Sequence, residues 1–186
     1  KHSAVIFQSG GGVGYSFSKL RAAGSIVGST NRTASGPVSF MEVFDKGADV
    51  VKQGGVRRGA LMGVLRVDHP DIFEFISEKA KGRLTNFNVS VAATDVFMHA
   101  VVNNKEYWLV DHHRKKTQKV NAREVFEFLC MNAWECGDPG MIFIDAINRQ
   151  HSMRKMGEIT ATNPCGESPL LSAEACCLGS VNLAQM

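Results

Sequence analysis

The 186 residues are 44% hydrophobic with a formal net charge of +3, enough apolar material for a buried core and too little charge to point to nucleic acid. No apolar run approaches the roughly 20 residues of a membrane span. Five cysteines, an odd number, argue against a secreted disulfide framework, and the absence of Cys-x-x-Cys argues against a structural zinc site.

The amino end, Lys1-His2-Ser3-Ala4-Val5-Ile6, lacks the apolar core of a secretory signal, so a cytoplasmic protein is expected. Both ends read as cut. With no internal repeat and no low-complexity linker, residues 1–186 read as a single partial domain. Gly10-Gly11-Gly12-Val13-Gly14 lacks the Gly-Lys-Ser/Thr of a phosphate loop and reads as backbone close packing. Phe40, Val43, Phe44, Ala48 and Val51 recur at helical spacing, predicting a helix over Val38 to Val51 that Gly54-Gly55 closes. Leu61 to Val67 reads as a strand. Asp68 is placed to cap a helix with Pro70 in its first turn, running through Phe73 and Ile76.

Asn88 to Ala92 predicts a buried strand, Thr94 to Val102 a helix and Tyr107 to Val110 a short strand. His112-His113-Arg114-Lys115-Lys116 reads as a solvated hairpin tip. Asn121 and Glu124 resemble a capping box opening a helix to Trp134. Cys130 and Cys136 fall on different faces of that helix and read as core or half-buried thiols. Met141 to Ile144 and Ala175 to Leu183 complete the series as strands. Such alternation predicts an α/β architecture with a mainly parallel sheet, either open or closed into a barrel.

Ala161-Thr162-Asn163-Pro164-Cys165-Gly166-Glu167 sets an amide, a thiol and a carboxylate at alternate positions. In extended backbone all three side chains project to one face, as a site for chemistry on a common substrate would need. The competing reading is a buried Cys in a turn made by Pro164 and Gly166.

Asn163-Pro164-Cys165-Gly166-Glu167 is similar to the radical-site signature of ribonucleotide reductases, in the form typical of the adenosylcobalamin-dependent class. Further similar segments occur in the expected order: Ser9 to Ser18, Leu20-Arg21, Ala34 to Phe40, Lys52 to Ala60, Asp68 to Ile72, Asn86 to Val91 and Cys177 to Leu183. Together they span essentially the whole chain. The resemblance implies part of a ten-stranded α/β barrel with the reactive Cys on an internal loop. It implies adenosylcobalamin as cofactor, Cys165 as the thiyl radical, Glu167 as base on the ribose 3′ hydroxyl and Asn163 as a hydrogen-bonding partner of the sugar.

Counting back from Leu178-Gly179-Ser180-Val181-Asn182-Leu183, the resemblance makes Cys176 one half of a reducing cysteine pair. Cys177 departs from the family pattern, and in a strand only one of the two neighbours faces the substrate. The other member of the pair lies upstream in the family, and no Cys precedes Cys130 here, so this chain alone is not expected to turn over. Lys52-Gln53-Gly54-Gly55-Val56-Arg57-Arg58 reads by residue type as a Gly-rich surface loop. The resemblance instead makes Gln53, Gly54, Gly55, Arg57 and Arg58 a link between a deoxynucleotide effector and the substrate base, and gives Arg21 contacts to effector phosphates. The implied partners are a ribonucleotide substrate and a thioredoxin- or glutaredoxin-type reductant. A homodimer is left open, as are diphosphate against triphosphate substrate and effector preference. Two other readings remain: a segment of a class I large subunit, whose radical comes from a metal-containing subunit, and a non-catalytic nucleotide-binding module.

Overall fold

The computed structural model describes residues 2–51, 58–111 and 115–185. Helix α1 (His2–Gln8) leads into strand β1 (Gly12–Ser16), a small hairpin of β2 (Ile26–Val27) and β3 (Arg32–Thr33), and helix α2 (Gly36–Val50). Strand β4 (Ala60–Arg66), helix α3 (Ile72–Ser77), strand β5 (Phe87–Ala93) and helix α4 (Asp95–Val102) follow. Next come the hairpin β6 (Glu106–Val110) and β7 (Lys116–Asn121), helix α5 (Ala122–Cys136), strand β8 (Gly140–Phe143) and helix α6 (Ile144–Gln150). A last hairpin pairs β9 (Ala161–Thr162) with β10 (Pro169–Leu170).

Strands β1, β4, β5 and β8 form one parallel sheet, adjacent in that order. Each crossover carries helix, as parallel neighbours require. The strand order follows the chain without reversal, so the sheet has no switch point of the doubly wound kind.

Side-chain alternation gives the sheet two different faces. Leu61, Leu65, Phe87, Val89, Val91 and Ala93 pack into the main core with Met41 and Ala48 of α2, Ile72, Phe75 and Ile76 of α3, Phe97 of α4 and Val125 and Leu129 of α5. Burying each of the larger of these side chains contributes about 1.5–3 kcal/mol. On the opposite face Met62, Val64 and Ala92 pack with Ile144 and Ile159 in a smaller cluster. With both faces covered, β4 is buried from Leu61 to Leu65 and its sequence is a continuous apolar run with no polar alternation.

The helix from Thr94 begins as its sequence predicts: Thr94 Oγ1 accepts a hydrogen bond from the Phe97 amide at 3.2 Å. Asn121 Oδ1 likewise accepts from Arg123 N at 2.8 Å and Glu124 N at 3.2 Å, and Gly137, at φ +84°, ends α5. Other expectations need correction. Asp68 does not cap α3: its two carboxylate oxygens receive Nε and an Nη of Arg66, both at 2.9 Å, and the helix begins later, at Ile72. Residues 174–182 form no strand, because no strand among the described residues pairs with them. Cys130 and Cys136 are exposed, since the buried stripe of α5 runs through Ala122, Val125, Leu129 and Asn132 and passes both by. The β6–β7 hairpin meets at Asp111 and Lys115, whose backbone groups bond at 2.9 Å; His112, His113 and Arg114 lie outside the described residues. No helix among the described residues is long and apolar enough to cross a membrane.

Candidate functional site

The loop bearing Asn163, Cys165 and Glu167 is the turn between β9 and β10, and it is held mainly by Asn163. The Asn163 amide donates to Ser168 O at 3.1 Å, and its side-chain Oδ1 accepts from Ser168 N at 3.0 Å. Its carbonyl accepts from Gly166 N at 3.0 Å and from Thr162 Oγ1 at 3.0 Å. Gly166 sits at φ +88°, which a side chain would strain. Asn163 is buried, whereas Cys165 and Glu167 are exposed, and Asn163 Nδ2 donates to Glu167 Oε1 at 2.7 Å. The amide and carboxylate therefore meet through a turn and not through the pleat of an extended segment. Asn163 has its Oδ1 and one Nδ2 hydrogen engaged within the loop. Cys165 is a free, exposed thiol, which sets aside the buried-turn reading.

This loop rests on the smaller-cluster face of the sheet, and the sequence of that face makes room for it. A Cβ at Gly12 would run into the Pro164 ring, and one at Gly14 into the carbonyl oxygen of Thr162. The Gly-rich segment is close packing, and the loop is what packs against it. On β4, Met62 Cε lies 3.7 Å from where a Gly166 Cβ would be. On β5, in register with Met62, Asn88 Nδ2 donates to the Pro164 carbonyl at 2.7 Å. Gly12, Gly14, Met62 and Asn88 thus form a floor drawn from three strands. The sequence points to the glycines as close packing but gives Asn88 no role of its own, although it lies in the similar segment Asn86 to Val91 and is a polar residue inside an apolar strand.

A cavity of about 400 Å³ opens at the carboxyl ends of β1, β4 and β5, lined by Ser16, Lys19, Arg66, Asp145, Asn148 and Glu158 among others. None of these was foreseen from sequence. Hydrogen bonding to Asp68 pushes the Arg66 guanidinium up from its usual value, against the downward effect of its own burial. Asn148 is engaged elsewhere: its amide donates to Ile144 O and Ile159 O, and its Oδ1 accepts from Ile159 N, tying α6 to the segment that leads into β9.

Cys176 is half-buried and Cys177 exposed, in a stretch without strand geometry. The pleat that would turn the two to opposite faces is not there. Arg21 and Arg58 are exposed. The segment around Arg21 is pinned to the start of α3: Leu20 O accepts from His69 Nε2 at 3.1 Å, and Ala23 N donates to Asp71 Oδ2 at 2.8 Å. Gln53, Gly54, Gly55 and Arg57 lie outside the described residues. Among the described residues no group of His, Cys, Asp and Glu is arranged to hold a metal ion.

Residues 1–186 match the family model described as ribonucleotide reductase, barrel domain. The chain is 51% identical, over its whole length, to the vitamin B12-dependent ribonucleoside-diphosphate reductase of Thermoplasma acidophilum, covering 24% of that protein. It is 50% identical over 99% of its length to the enzyme of the same name from Mycobacterium tuberculosis, covering 27% of it. To the ribonucleoside-diphosphate reductase large subunit of Caenorhabditis elegans it is 30% identical over 90% of its length, covering 25% of that protein. The chain spans about a quarter of the length of these relatives.

Proposed function

This chain belongs to the ribonucleotide reductase barrel-domain family, and on that premise we propose that it carries the radical loop of an adenosylcobalamin-dependent ribonucleotide reductase. One observation carries the reading: a free, exposed Cys165 in a turn whose Asn163 directs the carboxylate of Glu167. Relatives named as B12-dependent range from 34% to 51% identical to this chain, against 30% for the large-subunit relative, which favours cobalamin over a metal-containing partner subunit.

Adenosylcobalamin, when bound, supplies a carbon-centred radical able to take a hydrogen atom from a thiol. The residue this chain presents to that chemistry is Cys165, and a free, exposed sulfur fits it. Cys165 as thiyl removes the 3′ hydrogen of the ribose. Glu167 takes the proton of the 3′ hydroxyl while the 2′ hydroxyl, protonated by a thiol of the reducing cysteine pair, leaves as water. Asn163, by its hydrogen bond to Oε1, fixes where that carboxylate points. Cys176 supplies one of two thiols that reduce the sugar, to be regenerated by a thioredoxin- or glutaredoxin-type protein. Arg21, Gln53, Gly54, Gly55, Arg57 and Arg58 serve a deoxynucleotide effector. The pinning of Leu20 and Ala23 to α3 supports this role for Arg21, since it gives that segment a fixed base.

The test is anaerobic reduction of ribonucleotides by the complete protein carrying these residues, with a dithiol, with and without adenosylcobalamin. Deoxynucleotide formation that requires the cofactor and is abolished by Cys165→Ser is the expected result. Activity that ignores cobalamin and needs a second subunit would overturn the cobalamin reading, and nucleotide binding without reduction would overturn the catalytic one.

A further inference from the structure

The floor beneath the Cys165 loop is built almost wholly of groups that make room. Gly12 and Gly14 offer no side chain, and Met62 offers a flexible apolar one. Asn88 differs. It projects from β5 on the loop face, opposite Met62 in the register, and its Nδ2 donates a 2.7 Å hydrogen bond to the carbonyl of Pro164.

That carbonyl belongs to the Pro164–Cys165 peptide. The six atoms of a peptide unit are coplanar, so holding Pro164 O also holds Cys165 N and Cα in one plane. Among the described residues the loop's other hydrogen bonds are internal: Asn163 to Ser168, Gly166 to Asn163, Thr162 to Asn163 and Asn163 to Glu167. They set the shape of the turn but do not anchor it to the barrel. We propose that Asn88 is a positioning residue, which fixes the sulfur of Cys165 relative to the sheet by clamping the peptide that precedes it.

Radical hydrogen transfer is steep in distance, and a misplacement of about 1 Å at a reacting centre can cost on the order of 100-fold in rate. The bond lies at the exposed surface of the sheet face, so its loss should leave the fold in place. Rate, and not substrate binding, is what it controls. This rests on the reductase reading for its catalytic consequence, but the seating of the loop stands on geometry alone.

Two readouts on the complete protein test it in Asn88→Ala, Asn88→Asp and Asn88→Gln. The first, without cofactor or substrate, is the rate at which iodoacetamide alkylates Cys165, followed by mass spectrometry of the peptide. Alanine removes the donor. Aspartate keeps the shape but sets a carboxylate against the Pro164 carbonyl. Both should change the alkylation rate at least threefold, while Gln, which retains the donor, stays closer to wild type. The second readout is turnover: kcat should fall at least tenfold in the Ala and Asp variants with KM for the nucleotide within twofold, and Gln should restore part of it. Alkylation rates in both variants within twofold of wild type would overturn the proposal, as would a loss of kcat that Gln does not relieve. If the wild-type protein reduces no ribonucleotide, the reductase reading fails, and alkylation alone decides whether Asn88 seats the loop.

Discussion

Gly14→Ala tests whether the radical loop is seated by the absence of side chains on β1. Gly14 is paired with Met62 in the middle of β1, with Val13 and Tyr15 paired to β4 on either side of it, which ties this stretch of backbone to the sheet. A Cβ there would overlap the carbonyl oxygen of Thr162. Non-bonded carbon contacts settle at about 3.5–4.0 Å, so relief requires the β9–β10 turn to shift by on the order of 1–2 Å. Overpacking of this kind costs about 1–3 kcal/mol, which at roughly 1.4 kcal/mol per factor of ten makes opening of the loop about 5- to 150-fold more frequent. Hydrogen exchange at the amides of Asn163 and Gly166 reads this directly, because both donate within the turn. Gly28→Ala is the control, since nothing lies within 4 Å of its Cβ position. The expected result is faster exchange at both loop amides in Gly14→Ala, with the amides of β5 unchanged, and no difference in Gly28→Ala. Exchange at Asn163 and Gly166 within twofold of wild type in Gly14→Ala would refute the reasoning, because the loop would then not rest on β1.

Asn121→Ala removes the acceptor that holds the Arg123 and Glu124 amides. It should cost about 1 kcal/mol and speed exchange of those two amides about fivefold, with Asn121→Asp close to wild type. Tyr107 provides an alkaline signature. Burial, with Asp68 adding in the same direction, pushes its phenol above the ordinary 10.0, and its hydroxyl donates to Val67 O at 2.9 Å. Above pH 10 the unfolded chain releases this proton and the folded one keeps it, so stability present below pH 10 is lost by about 1.4 kcal/mol per pH unit. Tyr107→Phe should be less stable than wild type at pH 8, with a gap in urea midpoint that narrows as pH rises past 10. A constant gap from pH 8 to 11 would sink that assignment.

Much of the local structure is legible in the chain. Leu61-Met62-Gly63-Val64-Leu65 reads as a strand buried on both faces, and it is one because helices cover one side and Ile144 and Ile159 the other. Thr94 and Asn121 are short polar side chains ahead of apolar periodicity, and both cap as their chemistry dictates. Asn163, Cys165 and Glu167 stand out because a thiol between an amide and a carboxylate is rare in a packing segment, and the seven similar segments that accompany them carry the family. Each of these signals lies within a few residues, where propensity and side-chain chemistry act directly.

What the chain does not disclose depends on partners distant in sequence. Asp68 has the residue type of a cap, but Arg66 reaches its carboxylate first and helix formation waits for Ile72. Ala175 to Leu183 has strand composition, and composition makes no strand without a neighbour to pair with. Cys130 and Cys136 are placed by which stripe of α5 meets the core, a choice made by α3 and α4. Gly12 and Gly14 show only that something must come close; the fold decides that it is Thr162 and Pro164, some 150 residues away in sequence. Asn88, 76 residues from Pro164, is the clearest case: a polar side chain in an apolar strand acquires a role only when parallel pairing sets it under the loop. Local chemistry determines which residues are able to react, and long-range packing, which no local pattern encodes, determines where they are held.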